Sequence, residues 1–218
     1  NQPAHAAFLL EQCWHTVPGG TAVAAVGLAA ALADLPDVTV TGIAARHARP
    51  PADGPMPPVP VVHSRLPRPA LYEAWHRLNR PRVENMGADP GGDAGFSLVH
   101  ASGGAVPATR LPLVATIHDL GWRHEPGHST RRGRRLFEAW LEDARRAAPV
   151  TCPSQATRAD LLAYIEEQLN PPNNFDQNEN EPELAAVAES LDLGFDPEGH
   201  RRHGQRRLRL APHGVNIA

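Results

Sequence analysis

Short apolar segments alternate with helix-forming stretches along most of this sequence, and this alternation limits the folds that the chain can adopt. The apolar segments predict buried strands, and the stretches between them predict helices. The strands are predicted at 6–12, 38–45, 61–63, 96–100, 113–117, 150–152 and 207–211, and the helices at 21–33, 69–78, 134–147 and 154–169. Strands that alternate with helices form a parallel sheet with helices on both faces. We therefore expect a Rossmann-like, doubly wound, mainly parallel α/β sheet.

The domain organisation follows from length and from one unusual segment. A chain of 218 residues is long enough for one large α/β domain, so we expect a single domain over 1–218. Segment 170–182 is dense in asparagine and poor in apolar side chains, which predicts a flexible polar insertion. Its carboxylates lack the spacing of an EF-hand loop, so calcium is not expected there.

Charge and composition exclude several classes of function. The net charge of −3 and a pI near 6.5 give no reason to expect a nucleic-acid partner. No apolar run reaches the roughly 18 residues needed to cross a bilayer, and no signal peptide opens the sequence. Cys13 and Cys152 are predicted to be buried free thiols, which favours a cytoplasmic protein. All 21 basic residues are arginine, so lysine Schiff-base chemistry and a Walker lysine are excluded.

A histidine and an aspartate stand where the strand predicted at 113–117 should end. The carboxyl ends of parallel strands are where ligands bind, so His118 and Asp119 are candidate site residues. A histidine there can donate to a sugar hydroxyl or a phosphate, or stabilise charge as a bond breaks. Alternatively, His118 bonds to nearby backbone and Asp119 caps a turn. Both interpretations stay open at this point.

Two other strand ends carry glycines. Gly19 and Gly20 follow the first strand, and glycine before a helix lets the backbone approach a phosphate closely. Ser102 and Gly103 follow the strand predicted at 96–100, where small residues leave room for a pocket wall. In each case a tight turn is the simpler alternative. Together with His118 these strand ends predict a ligand crevice.

No metal site is expected. His124-Glu-Pro-Gly-His128 spells the zinc-protease pattern, but Pro126 and Gly127 disfavour the helix that would bring both histidines to one face. An Asp-x-Asp motif, a P-loop and a nucleophile elbow are all missing from the sequence.

Four arginines stand at the start of the helix predicted at 134–147. Cations are unfavourable at a helix N-terminus unless something anionic lies near, such as an anionic substrate or a lipid headgroup surface. Peripheral membrane contact is therefore one expectation, and pairing with acidic side chains further along the helix is the other. The arginines are Arg131, Arg132, Arg134 and Arg135, and the acidic residues are Glu138, Glu142 and Asp143.

Several segments, in this order and spacing, resemble the N-terminal half of a family 4 glycosyltransferase, a retaining enzyme of the GT-B architecture. They are Val17-Pro-Gly-Gly-Thr21, Leu98-Val-His100, Leu113-Val-Ala-Thr-Ile-His-Asp-Leu120, His128-Ser-Thr-Arg-Arg-Gly133, Cys152-Pro-Ser-Gln-Ala-Thr-Arg158 and Leu210-Ala-Pro-His-Gly-Val-Asn216. The resemblance implies two facing Rossmann-like domains. The N-terminal one mainly holds the acceptor, and the C-terminal one mainly holds a nucleotide-sugar donor, with no cofactor or metal.

The resemblance also implies roles for individual residues. Gly19 and Gly20 would lie against the donor diphosphate, and His118 would touch the transferred sugar as the catalytic residue. Ser102 and Gly103 would border the acceptor space, and Asp119 is grouped with them as substrate-binding.

The sequence stops just after 214–216, where the family's chain enters its second domain. We therefore expect the C-terminal donor-binding domain to be absent and this chain to be inactive without it. The alternatives are a non-catalytic module that binds a glycan or a nucleotide, and an inverting GT-B enzyme.

Overall fold

Six parallel strands form one sheet in the order β3-β2-β1-β4-β5-β6. This is the strand order of the Rossmann fold, and it confirms the predicted doubly wound parallel sheet. The strands are β1 (Ala4–Leu9), β2 (Val38–Ala44), β3 (Val61–His63), β4 (Leu98–Ala101), β5 (Leu113–Thr116) and β6 (Val150–Thr151).

The computed structural model describes residues 3–52, 54–86, 95–125, 127 and 129–169. The chain divides into two units, 1–162 and 163–218, and all six strands lie in the first. In the second unit the described residues, 163–169, form the end of the last helix. The insertion predicted at 170–182 and the strand predicted at 207–211 lie outside the described residues.

The described residues also form five α-helices and two short 3-10 helices. The α-helices are α1 (Gly19–Ala33), α2 (Arg68–Leu78), α3 (Gly121–His124), α4 (Arg131–Ala144) and α5 (Gln155–Leu169), and the 3-10 helices are Glu11–Trp14 and Val83–Asn85. None of these described helices is long and apolar enough to cross a membrane.

The helices cover both faces of the sheet, as the alternation of side chains along β1 shows. Leu9 points into a core cluster that includes Trp75 of α2, whereas Phe8 points into a second cluster that includes Ala29 of α1. Successive side chains of a strand face opposite sides, so each face of β1 has its own helix layer. Burial of both faces explains why the strands contain near-continuous apolar runs.

One glycine is required by close packing near the edge of the sheet. A Cβ at Gly42 would lie 2.8 Å from Leu10 Cδ1 and 2.9 Å from Val61 Cγ2. Gly42 therefore leaves room for the side chains of Leu10 and Val61 where β3 pairs with β2.

Three predicted boundaries were wrong by a few residues, each for a local reason. β1 ends at Leu9 rather than at residue 12, because the chain turns into the 3-10 helix. Helix α1 begins at Gly19, so Gly19 and Gly20 form its first turn instead of preceding it. Helix α4 begins at Arg131, three residues early, because the side chain of Thr130 caps it by accepting a hydrogen bond from Gly133 N at 3.0 Å.

Candidate functional site

The strand order reverses direction between β1 and β4, and this reversal defines a crevice. Connections leave β1 toward one side of the sheet and β4 toward the other, so the chain diverges above their carboxyl ends. Open α/β sheets bind ligands at such a point. The residues that follow Leu9 and Ala101 are therefore the first candidates for ligand contact.

A buried hydrogen-bond network forms the floor of this crevice. The hydroxyl of Ser102 donates to the carbonyl oxygen of Leu9, and Gln12 Nε2 donates to Ser102 Oγ at 2.8 Å. Gln12 and Ser102 are both 3% exposed. Gln12 Oε1 is buried and has no partner among the described residues. Ser102 thus joins the ends of β1 and β4, and its hydroxyl is committed to this network.

His118 is held from two sides at the same place. Its Nε2 lies 2.8 Å from the carbonyl oxygen of Ser102, so Nε2 carries the proton and donates it. Its own carbonyl oxygen accepts from Thr157 Oγ1 at 3.0 Å, and Ser154 Oγ caps helix α5 by accepting from Thr157 N. The ring is therefore fixed between the ends of β4 and β5, and Nδ1 is the nitrogen left for a ligand.

Gly103 has no side chain, and the ring of His118 occupies the space beside it. A Cβ at this position would lie 3.3 Å from both Cδ2 and Nε2 of the ring. The structure therefore brings three of the predicted residues together, namely Ser102, Gly103 and His118.

Asp119 is exposed and bonds locally. Its Oδ1 accepts a hydrogen bond from Gly121 N at 2.9 Å, at the start of α3. This is the turn-capping arrangement that the sequence left open as an alternative. Asp119 directly follows the crevice residue His118 in the sequence.

Gly19 and Gly20 lie at the same edge of the sheet as His118, because they follow β1 and all the strands are parallel. Gly19 has φ +64°, a value that favours glycine. A methyl group at either glycine would meet no described atom within 4 Å, so the space beside them is open.

A second histidine lies in the core beneath His118. His100 on β4 is 7% exposed, and its Nε2 lies 2.8 Å from Thr116 Oγ1. Burial, and to a smaller extent the nearby ring of His118, lower the pKa of His100 to about 4. His100 is therefore uncharged at neutral pH.

The comparisons with known proteins agree with this geometry. The family model for Glycosyltransferase Family 4 matches residues 18–168, which is more than half of the chain. The chain belongs to glycosyltransferase family 4. No curated protein and no solved structure gives a significant match. The matched residues of this glycosyltransferase domain include Gly19, Gly20, Ser102, Gly103 and His118.

Sequence reasoning missed a second polar cluster in the glycosyltransferase domain. Glu11 is fully buried, and its carboxylate accepts from Ala45 N at 2.6 Å, from Arg68 Nε at 2.6 Å and from His47 Nε2 at 2.9 Å. Arg68 also donates from Nη2 to the carbonyl oxygen of Trp14 at 2.7 Å. The sequence does show a charged residue, Glu11, at the end of the apolar run that forms β1. The strand was predicted to extend to residue 12, however, so Glu11 was assigned to it.

The zinc-protease pattern does not form the helix that such a site needs. Helix α3 ends at His124, and Glu125 has φ −124° and ψ 71°. His124 instead pairs with Asp160 on α5, with 3.1 Å between Nε2 and Oδ2. His128 lies outside the described residues. Within the described ranges, no three His, Cys, Asp or Glu side chains come together as metal ligands do.

The arginines of α4 do not pair with the acidic residues proposed for them. Glu142 pairs with Arg145 at 3.3 Å, and Asp143 pairs with His76 at 2.9 Å. Arg134 donates to the carbonyl oxygen of Ser129. The three other arginines of the cluster are exposed, and no carboxylate in the described part of the chain pairs with them; they are Arg131, Arg132 and Arg135.

Proposed function

We propose that this domain is the acceptor-side half of a retaining GT-B glycosyltransferase that moves a sugar from a nucleotide-sugar donor to an acceptor hydroxyl. Catalysis would need no metal ion. The donor is proposed to lie with its diphosphate against Gly19 and Gly20, where α1 begins and the space is open. The two cysteines of the domain are free, which supports the cytoplasmic location expected from the sequence.

The observation that carries this proposal is the fixed ring of His118 at the strand-order reversal. Because Nε2 donates to Ser102, Nδ1 is the atom available to the transferred sugar. An uncharged ring accepts a hydrogen bond there from a sugar hydroxyl, and a protonated ring donates one. A group held on both sides by backbone contacts loses little freedom on binding, so it positions the sugar ring effectively.

The proposed reaction retains the configuration at the anomeric carbon. The bond from that carbon to the donor phosphate oxygen breaks, and the nucleoside diphosphate leaves with the electron pair. The acceptor oxygen attacks from the same face, and its hydroxyl proton passes to the departing phosphate oxygen. His118 holds the sugar while positive charge develops on it.

The test is a screen of nucleotide sugars with the full-length protein, followed by assignment of the product anomer by proton NMR. We expect one donor to give a product of unchanged configuration. A product of inverted configuration would contradict the retaining reaction. Binding without turnover for every donor would favour the binding-module alternative.

His118→Ala then tests the proposed role directly. We expect turnover to fall by about a hundredfold or more while donor affinity changes little. His76→Ala is the matched control, since His76 bonds to Asp143 on α4 away from the crevice residues. Near-normal turnover in His118→Ala would reject the role.

A further inference from the structure

A separate cleft lies at the same edge of the sheet, beyond the ends of β2 and β3. Its volume is about 460 Å³, and its walls include Trp14, His47, Arg49, Pro50, Met56 and His63. An adjoining cavity of about 430 Å³ shares four of these residues and adds His15. We call the two together the Trp14 cleft. Neither His118 nor Gly103 lines it.

The wall of the Trp14 cleft is held rigidly before any ligand arrives. Glu11 accepts from His47 Nε2, and the His47 ring stacks on the Trp14 indole with 4.8 Å between centroids and 7° between planes. Trp14 Nε1 donates to the carbonyl oxygen of Arg49 at 3.0 Å. A surface fixed in this way binds with a small loss of conformational entropy.

Two histidines of the cleft each use one ring nitrogen in a hydrogen bond to the protein, and this shows which nitrogen is left for a ligand. His63 Nδ1 lies 2.8 Å from the carbonyl oxygen of Ala45, so it carries a proton and leaves Nε2 available. His47 uses Nε2 on the Glu11 carboxylate, which leaves Nδ1 available. Burial, and then the charge of Arg68, lower the pKa of His15, so its ring stays largely uncharged.

The charged side chain among the described lining residues of the cleft is basic. None of the described residues that line it is acidic, and Asp53 lies outside the described residues. The carboxylate of Glu11 contacts His47 of the wall and is paired with Arg68. Arg49 is exposed, and no carboxylate in the described ranges pairs with its guanidinium. Met56, 57% exposed, and Pro50 add apolar surface to the walls.

We propose that the Trp14 cleft holds a part of the acceptor that lies away from the reacting hydroxyl, whose expected place is beside Ser102 and Gly103. The cleft selects an acceptor that carries on this part an oxyanion, either a carboxylate or a phosphate, on a ring-sized body. This inference rests on the proposed function, because it names the substrate class of that transferase. The ring packs against Trp14 and Met56, and the oxyanion contacts the guanidinium of Arg49. The cleft volume is in the range of small-molecule sites.

The test is a calorimetric titration of the full-length protein with three probes that share one ring, namely phenyl phosphate, benzoate and benzyl alcohol. We expect one or both anionic probes to bind about tenfold or more tightly than benzyl alcohol. The comparison of phosphate with carboxylate then shows which oxyanion the cleft takes. Equal affinity for all three probes, or binding of none of them, would overturn the proposal.

Two arginine variants locate the site. Arg49→Gln should weaken the anionic probe about five- to tenfold. Arg46→Gln is the matched control, because Arg46 is also exposed and lies three residues earlier without lining the cleft. An equal effect of the two variants would overturn the assignment.

His118→Ala separates this inference from the proposed function. Probe binding should be unchanged in that variant while sugar transfer is lost. If transfer instead proves independent of His118 but Arg49→Gln still weakens the anionic probe, the proposed mechanism fails and the cleft assignment stands.

Discussion

The Nε2 atom of His118 lies 2.8 Å from the carbonyl oxygen of Ser102, and this bond joins the ends of two neighbouring strands. A ring fixed to backbone in this way can present only its other nitrogen to a ligand. The bond therefore sets both the position and the protonation pattern of the one histidine proposed to contact the transferred sugar.

Gly103→Ala should disturb His118 without unfolding the domain. The new methyl group would lie 3.3 Å from the ring, closer than ordinary contact, so the ring must move away from its bond with Ser102. We expect turnover to fall about tenfold or more, with a small change in melting temperature. In a His118→Ala background the same substitution should cost no further activity, and a second full loss there would contradict this reason.

Gly20→Ala should raise stability and weaken donor binding. Gly20 lies in α1 with open space around it, so alanine should stabilise the helix by about 0.5–1 kcal/mol. Gly27→Ala is the control, because Gly27 lies in the same helix with the same open surroundings. Thermal unfolding should show a gain in both variants, whereas nucleotide-sugar titration should show weaker binding only in Gly20→Ala. Equal donor affinity in the two variants would remove Gly20 from the proposed donor site.

Glu11→Gln should destabilise the domain by about 1–3 kcal/mol, because three donors lose a buried carboxylate. The cost stays below that of a fully buried pair, since the Arg68 side chain is 32% exposed and water can solvate it. Urea unfolding measures the change.

The control for that measurement is Glu73→Gln. Glu73 pairs with Arg77 on the surface of α2, with side chains 55% and 71% exposed. Surface pairs contribute little, so we expect a change within about 0.5 kcal/mol. Similar losses in the two variants would show that the Glu11 cluster is not a special source of stability.

His100 should make stability depend on pH. Its pKa is about 4 in the folded domain, against 6.5 as the reference value for the unfolded chain. Between these values the unfolded chain binds more protons, so stability falls as the pH is lowered from about 6.5 and levels off below about 4. Urea unfolding of wild type and His100→Gln across this range isolates the contribution. Parallel curves for the two proteins would contradict the assignment.

The exposed arginines of α4 should bind anionic membranes. We expect the protein to sediment with vesicles that contain phosphatidylserine and not with neutral phosphatidylcholine vesicles, and salt should reverse the binding. Changing Arg131, Arg132 and Arg135 to Gln should abolish it. The control variant removes three other exposed arginines, Arg77, Arg80 and Arg110. Loss of sedimentation in the control as well would mean that total charge, and not this helix, is responsible.

The fold was predictable because its signal is local. Alternating apolar and helix-forming segments fix the element order, and parallel strands place every strand end at one edge. For that reason the sequence could predict that Ser102, Gly103 and His118 lie close together, although Ser102 and His118 are sixteen residues apart. The boundaries of β1 and α4 were wrong because a 3-10 turn and a threonine cap compete with the periodic pattern.

The Glu11 cluster was not predictable in the same way. Arg68 lies 57 residues from Glu11, at the start of α2, and His47 lies in the loop after β2. The contacts of His47 and Arg68 with Glu11 depend on how two loops and a helix terminus pack together. No local sequence pattern predicts this packing. A charged residue that follows an apolar run is also compatible with a solvated loop. The sequence alone could therefore not distinguish a buried, paired Glu11 from an exposed one.

Glu11 and Gln12 are adjacent, yet one bonds toward the Trp14 cleft and the other toward the crevice of His118. A single peptide bond therefore joins the two hydrogen-bond networks, so a backbone shift at one of these residues moves the other. Under the two proposals made above, acceptor preference and sugar transfer would depend on neighbouring residues of one 3-10 helix. Natural variants that exchange one acceptor for another should accordingly carry paired replacements at these two positions.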